Sequence, residues 1–168
     1  MRKIRLFIAC SLDGYIAKED GSVDWLPQNG DSGYEQFYKS IDTVLMGKKT
    51  YDQILTFGKY PYKDKLSYVF TRNPNQKKDE NVEFISEVEE FTQKLISNSG
   101  KDIWLVGGSD TASTFLNLKF VDELIISVIP VVLGKGIPLF TNIKEEIKLE
   151  LVKTTKYSKL VELSYKIL

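Results

Sequence analysis

The chain contains no histidine and only one cysteine. Without histidine there is no Ser-His-Asp or Cys-His catalysis and no histidine-ligated metal. Acid–base work falls to carboxylates, lysine, tyrosine or water, which favours a cofactor that carries the reactive group itself. The single Cys10 excludes an internal disulfide framework and suits a reducing cytoplasm. Charge of one sign is also missing: 23 Lys and Arg balance 23 Asp and Glu, so no nucleic-acid or membrane surface is indicated. No apolar run approaches the roughly 18 residues of a membrane span. The basic-then-apolar start "MRKIRLFIACSLDGYIA" reads as a first strand and not as a signal peptide, because the run is short and Asp13 follows it.

What is present describes one domain over residues 1–168. The length supports a single core, and 42% hydrophobic with 27% charged residues are ordinary globular values. Strands are expected at 3–9, 42–47, 65–71, 82–85, 101–108 and 121–133, and helices at 32–41, 48–56, 86–98 and 109–117. Segment 10–30 reads as loop, punctuated by Gly14, Gly21, Pro27 and Gly30. Ser109 or Asp110 is well placed to cap the fourth helix. Pro130 implies a bulge, an edge or an end in the sixth strand. The tail holds two alternating runs, 147–157 and 159–168, which read as an antiparallel hairpin with one solvated face. The pattern is an α/β fold with a mixed, mostly parallel sheet flanked by helices.

Three of the expected strands end in polar or glycine-rich turns: Gly47-Lys48-Lys49-Thr50, Thr71-Arg72-Asn73 and Gly107-Gly108-Ser109-Asp110-Thr111. The carboxyl ends of parallel strands share one edge, and ligands bind there. Helices starting at Lys48 and Ser109 would aim free N–H groups at an anion. Gly107 and Gly108 would allow close backbone approach, and Lys48, Lys49 and Arg72 add charge. Singly, each turn is compatible with ordinary strand-to-helix geometry: Asp42 stands where a P-loop needs glycine, and "VGGSDT" lacks the spaced glycines of a Rossmann fingerprint. Together they describe a site for a molecule with more than one phosphate.

"SLDGYIA" (11–17), "VLMGKKTYD" (44–52), "YVFTRN" (68–73), "IWLVGGSDTASTFL" (103–116) and "VDELIISVIPVVLGKGIPLF" (121–140) occur in an order that resembles the dihydrofolate-reductase-like superfamily. Within it the chain is most similar to the C-terminal reductase domain of the bifunctional riboflavin-biosynthesis deaminase/reductase. The resemblance implies a three-layer fold with a C-terminal antiparallel hairpin, and NADPH bound across the strand ends. Carried over, Gly47, Lys48, Lys49 and Thr50 would hold the pyrophosphate and the 2′-phosphate side. Thr71 and Arg72 would flank the adenine ribose and its 2′-phosphate. Gly107, Gly108, Ser109, Asp110 and Thr111 would form a second phosphate turn, whose Gly-Gly bond is often cis in this superfamily. Ala9, Ile16 and Ala17 would line the nicotinamide. A homodimer covering the apolar "IISVIPVVLGKG" run is expected, because that run is too apolar for an exposed edge strand and the resemblance implies one.

The expected activity is an NADPH-dependent reductase resembling 5-amino-6-(5-phosphoribosylamino)uracil reductase, acting on a pyrimidine riboside or pterin-like small molecule. A dihydrofolate or dihydropteridine reductase and a non-catalytic dinucleotide-binding protein are the alternatives. Folate reductases carry a carboxylate on the helix following their "W…P" loop; aligning Phe37 with that helix puts Gly33 at the place of the acid. Asp31 and Glu35, on either side, are the candidate proton donors; the competing reading makes Asp31 a helix cap and Glu35 a solvated residue. Lys39 is the only basic residue available for a substrate phosphate on this helix. Trp25, Tyr34 and Phe37 offer a flat apolar wall for a ring, or belong to the core. Tyr15 and Ser11 are further contacts without an assigned role.

Overall fold

The computed structural model describes residues 1–28, 32–73 and 75–168. Ten strands and four helices alternate along them. These are β1 (Ile4–Ser11), β2 (Tyr15–Ala17), α1 (Tyr34–Ser40), β3 (Ile41–Gly47), α2 (Lys48–Thr56), β4 (Leu66–Phe70), β5 (Glu83–Ile85), α3 (Val88–Ser97), β6 (Asp102–Gly107), α4 (Ser109–Asn117), β7 (Glu123–Ile129), β8 (Ile137–Pro138), β9 (Leu149–Lys156) and β10 (Val161–Ile167). Eight strands form one sheet in the order β5-β4-β3-β6-β1-β7-β10-β9, and β2 pairs with β8 separately. The first six strands of that order are mutually parallel; β10 runs antiparallel to both β7 and β9. The expected mixed sheet with a C-terminal hairpin is borne out.

The parallel strands are buried on both faces, so their sequences are continuous apolar runs and each face has its own core. On one face α3 and α4 bring Leu95, Phe115 and Leu116 against Ile4, Leu6, Leu45 and Leu105. On the other, α1 and α2 bring Phe37 and Tyr51 against Val44, Met46, Trp104 and Ile125. Trp104 is the hub of this second core, with Phe7, Tyr34, Phe37, Tyr38 and Tyr62 all within ring-contact distance. Its indole N–H donates to the Phe7 carbonyl at 3.0 Å, which fixes the ring between β6 and β1.

The sequence expectation for the long apolar strand needs correction. β7 ends at Ile129, so Pro130 marks an end, as the sequence allowed, but the strand lies between β1 and β10 and not at an edge. It is an interior strand, so its apolar character is explained within the chain. The edges of the sheet are β5 and β9, and on β9 Leu151 and Val152 are 55% and 64% exposed. The short β2–β8 pair also went unforeseen, because its strands of three and two residues carry no periodicity of their own.

The far end of the sheet is closed by Arg2, a buried cation. Its guanidinium donates to the Lys101 carbonyl at 2.6 Å, to Thr43 Oγ1 at 2.7 Å and to the Asp42 carboxylate. Asp42 in turn accepts the Lys101 N–H at 2.8 Å, so β1, β3 and β6 are tied at their amino ends. Replacing Arg2 by Met removes the charged partner of Asp42 and the guanidinium donors to Thr43 Oγ1 and the Lys101 carbonyl, leaving Asp42 only its neutral donors. The expected cost is about 2–3 kcal/mol of unfolding free energy, read from urea denaturation midpoints at unchanged slope; a loss under about 0.5 kcal/mol would show the tie to be superfluous.

Candidate functional site

β3 and β6 are neighbours, yet the chain leaves them in opposite directions. From β3 it passes through α2 to β4, and from β6 through α4 to β7. Crossovers of one hand in opposite directions place their helices on opposite faces, and α2 and α4 do lie in the two different cores. The crevice between the carboxyl ends of β3 and β6 is therefore the topological switch point of the sheet.

Two helix starts meet there. α2 begins after Gly47 and α4 after Gly108, and neither start is capped by a side chain. Their first N–H groups are thus available to an anion. The sequence expectation that Ser109 or Asp110 caps α4 is corrected: Gly108 takes the cap position, and the Ser109 hydroxyl donates instead to the Pro138 carbonyl at 2.5 Å. Asp110 Oδ1 accepts from the Thr141 hydroxyl at 2.8 Å.

The glycines are dictated by closeness. Met46 is the strand partner of Gly107, and a Cβ on Gly47 would run into Thr111 Oγ1. A Cβ on Gly108 would stand 3.1 Å from Thr50 Oγ1 and 3.9 Å from Ile16 Cδ1. Gly107 has φ +114°, a conformation that L side chains rarely adopt, and the Gly107–Gly108 peptide is cis, as the resemblance implied. Gly47, Thr50, Gly107, Gly108, Thr111 and Ile16 are thereby brought together as one cradle.

Around it, Lys48 is half-buried and pairs with Asp52 at 2.6 Å, while Lys49 is exposed. Thr71 follows β4, donates its N–H to the Ile85 carbonyl at 2.9 Å and accepts the Asn73 N–H on its hydroxyl at 3.1 Å. Arg72 beside it is exposed. Ala17 is buried in β2, and Ala9 is half-buried on β1 opposite Ser127 of β7.

The wall of the cleft is built from the "SLDG" and "LGKG" segments, and Asp13 joins them. Its carboxylate accepts the Ser11 hydroxyl at 2.7 Å, the Leu133 N–H at 3.1 Å and the Gly134 N–H at 2.7 Å. Ser11 Oγ also accepts the Tyr15 N–H at 2.9 Å. Those hydrogen bonds, led by the one from Ser11, hold the Asp13 carboxyl below the ordinary carboxylate range. Neither motif's own sequence shows that the two touch.

The residues expected at the substrate end are divided. Phe37 is only 5% exposed, stacked on Phe7 at 4.5 Å, so it belongs to the core and not to a ligand wall. Tyr34 keeps 38% of its surface free. Trp25 has its indole N–H buried without a partner among the described residues. The Lys39 side chain is 73% exposed and pairs with Glu35, itself 82% exposed, at 2.7 Å. That hydrogen bond and charge hold the Glu35 carboxyl below its ordinary value. Asp31 lies outside the described residues. Cys10 is buried, and burial pushes its thiol up, as expected of a core residue.

Sequence reasoning missed Glu162. On β10 it pairs with Ser127 of β7, and Ser127 with Ala9 of β1, so the three stand in a row on the face that α1 covers. Glu162 is 8% exposed, and its Oε2 has no hydrogen-bond partner among the described residues. Alternation alone assigned it to the solvated face of the hairpin. The visible signal was a carboxylate flanked by Val161 and Leu163 in a strand paired to the interior β7.

Fold and site together define a doubly wound α/β protein with two uncapped helix starts and a glycine-lined crevice at its switch point. A model described as RibD C-terminal domain matches residues 2–163, and the chain belongs to that family. It is similar to the uncharacterized protein YwjB of Bacillus subtilis, 47% identical over 169 residues, covering 98% of this chain and 97% of that one. Among solved structures it is similar to a putative riboflavin biosynthesis protein from Shewanella sp. PV-4, with TM-score 0.88, 26% identity and 99% of each chain covered. It is also similar to a dihydrofolate reductase from Enterococcus faecalis complexed with NADP(H) and RAB-propyl, with TM-score 0.71, 20% identity, and 98% of this chain and 96% of that chain covered. The latter shares the fold, which is dihydrofolate-reductase-like. Among the described residues no cluster of metal-binding side chains occurs, and no helix is long and apolar enough to cross a membrane.

The sign of the Asp13 contribution follows from its lowered pKa. Its docking of the two loops is fully present above the ordinary carboxylate pKa and is lost as pH falls through the lowered value. Amide exchange protection at Leu133 and Gly134 is therefore expected to be full from neutrality down to about pH 4, the ordinary carboxylate range, and to be lost only as pH falls further, through the lowered value. In Asp13→Ala the protection should be absent at every pH; protection unaffected by the substitution would remove this role.

Proposed function

We propose that this protein is a cytoplasmic NADPH-dependent reductase of the riboflavin-biosynthesis type, resembling 5-amino-6-(5-phosphoribosylamino)uracil reductase and acting on a pyrimidine riboside or pterin-like molecule. The observation that carries the reading is the pair of uncapped helix starts meeting over Gly47, Gly107 and Gly108 at the switch point. The residues present fit a dinucleotide: the cradle has no room for a Cβ at Gly47, and it is rimmed by cations. The amides at Lys48 and Ser109 would hold phosphate oxygens, with Thr50 and Thr111 beside them. Arg72 and Thr71, at the end of β4, would take the 2′-phosphate of the adenine ribose, where an arginine fork suits phosphate geometry. Ala9, Ile16 and Ala17 would present an apolar surface to the nicotinamide and keep water from it. When bound, this cofactor supplies a hydride equivalent; the protein's part is position and exclusion of water.

Titration of the purified protein with NADPH and NADH, followed by nicotinamide fluorescence, tests this. NADPH is expected to bind at least about tenfold more tightly. Arg72→Ala is expected to weaken NADPH about tenfold, about 1.4 kcal/mol, while leaving NADH nearly unchanged, and Lys48→Ala to weaken NADPH. Absence of binding by either nucleotide removes the reading.

We also propose a homodimer, now through the β9 edge with its exposed Leu149, Leu151 and Val152 and not through β7. Light scattering at micromolar concentration should give twice the chain mass, and Leu151→Lys should halve it. A monomeric mass for the unaltered protein dismisses the dimer.

A further inference from the structure

We propose that Glu162 is the carboxyl group that meets the substrate in this cleft, delivered from β10 to the place where α1 begins with glycine. The inference rests on the reductase reading above and assigns that reaction its proton donor. Its basis is the position of the side chain. A Cβ built on Gly33, the residue preceding α1, would stand 2.9 and 3.1 Å from the two Glu162 carboxylate oxygens and 3.0 Å from the Tyr157 hydroxyl. An acid carried by the helix at Gly33 would thus project into the space that the Glu162 carboxylate already holds. The same side chain lies in the Ala9–Ser127–Glu162 row, two strands from Ala9 and on its face. Two strand spacings are about 10 Å, the span of a small bicyclic ring with its contacts.

A fully structural role would leave Glu162 with partners, yet Oε2 is buried and has none among the described residues. A carboxyl so placed suits a ligand that arrives with its own polar edge. Its charged and titratable surroundings are few. Lys153 on β9 favours the ionised form, Tyr157 follows β9, Ser127 and Thr155 are its ladder neighbours, and Gly33 brings no side chain from α1. Burial outweighs Lys153 and pushes the carboxyl up, so it keeps its proton to higher pH than an exposed glutamate. Glu35 offers the contrary case, solvated and held ionised by Lys39.

The chemistry balances simply. Reduction of a C=N or C=O bond adds a hydride, here from reduced nicotinamide, to the carbon and requires a proton on the nitrogen or oxygen. The Glu162 O–H bond breaks as that N–H or O–H bond forms, and the carboxylate recovers its proton from solvent.

The test uses the full chain, its Glu162→Gln variant, and Asp31→Asn as comparison, with 5-amino-6-(5-phosphoribosylamino)uracil and 7,8-dihydropterin as probes. NADPH binding is expected to be equal in all three, which separates this assignment from the reductase reading. In Glu162→Gln, kcat for NADPH oxidation is expected to fall about 100-fold or more with KM little changed. The loss in Asp31→Asn is expected to be smaller than in Glu162→Gln, and the high-pH limb of the wild-type profile to vanish only in Glu162→Gln. Equal rates for Glu162→Gln and the unaltered protein, or a collapse confined to Asp31→Asn, overturn the assignment and leave the reductase reading standing. If the unaltered protein oxidises NADPH with neither probe, carbon-13 NMR of carboxyl-labelled glutamate in the nucleotide-free protein decides. The expected signal is one resonance, missing in Glu162→Gln, that titrates above the ordinary glutamate range and moves on addition of either probe. A Glu162 resonance with ordinary titration, or one unmoved by both probes, overturns the proposal.

Discussion

The constraint on which the site depends is the adjacency of β3 and β6 with their helices on opposite faces. It forces two helix starts to converge over one strand pair, and convergence at that distance leaves no volume for side chains at the turns. Gly47 and Gly108 are consequences of the topology before they are features of a ligand site. The same geometry concentrates uncapped N–H groups of two helices at one point, and positive field with them. Positive side chains placed there add to a field that the backbone has already made.

The second constraint is the aromatic core under α1. Trp104 is anchored by its hydrogen bond to the Phe7 carbonyl, and the rings of Phe7, Phe37 and Tyr62 pack about it. This packing sets the height of α1 above β1 and β7, hence the width of the gap at its Gly33 end. Phe37 faces inward for that reason, while Tyr34, one turn earlier, keeps an open face. Aromatic residues at helical spacing therefore did two jobs here, and only burial tells them apart.

Most of the architecture was readable, because parallel strands buried on both faces leave continuous apolar runs, and helices leave three- and four-residue spacing. The turns at the strand ends are readable because they are local: Gly47-Lys48-Lys49 and Gly107-Gly108 are each contiguous in sequence. What escaped was non-local. Nothing near Asp13 shows that its carboxylate reaches Leu133 and Gly134. Nothing in the "IISVIP" run shows that β10 will pair with it, so the sequence alone does not separate an interior strand from an edge. The β2–β8 pair joins segments whose separate sequences favour no structure. Asp31 and Glu35 are near Gly33 in sequence, whereas among the described residues the carboxylate that a Cβ at Gly33 would meet is 129 positions further along, from residue 33 to residue 162.

That last case has a physical logic. A helix and a sheet strand can both present a carboxylate to the same volume, but not at once, because two carboxylates in one dry space repel and one must give up its charge. Glycine at position 33 and glutamate at position 162 satisfy that exclusion: the helix backs away where the strand reaches in. Moving the acid to the sheet also changes what supports it. On a helix start its charge would be stabilised by the local N–H groups and its pKa drawn down. On β10, among Ser127, Thr155 and apolar neighbours, only Lys153 opposes the protonated form. The strand position is thus the one that favours a carboxyl still holding its proton, as a donor to a reduced carbon–heteroatom bond requires.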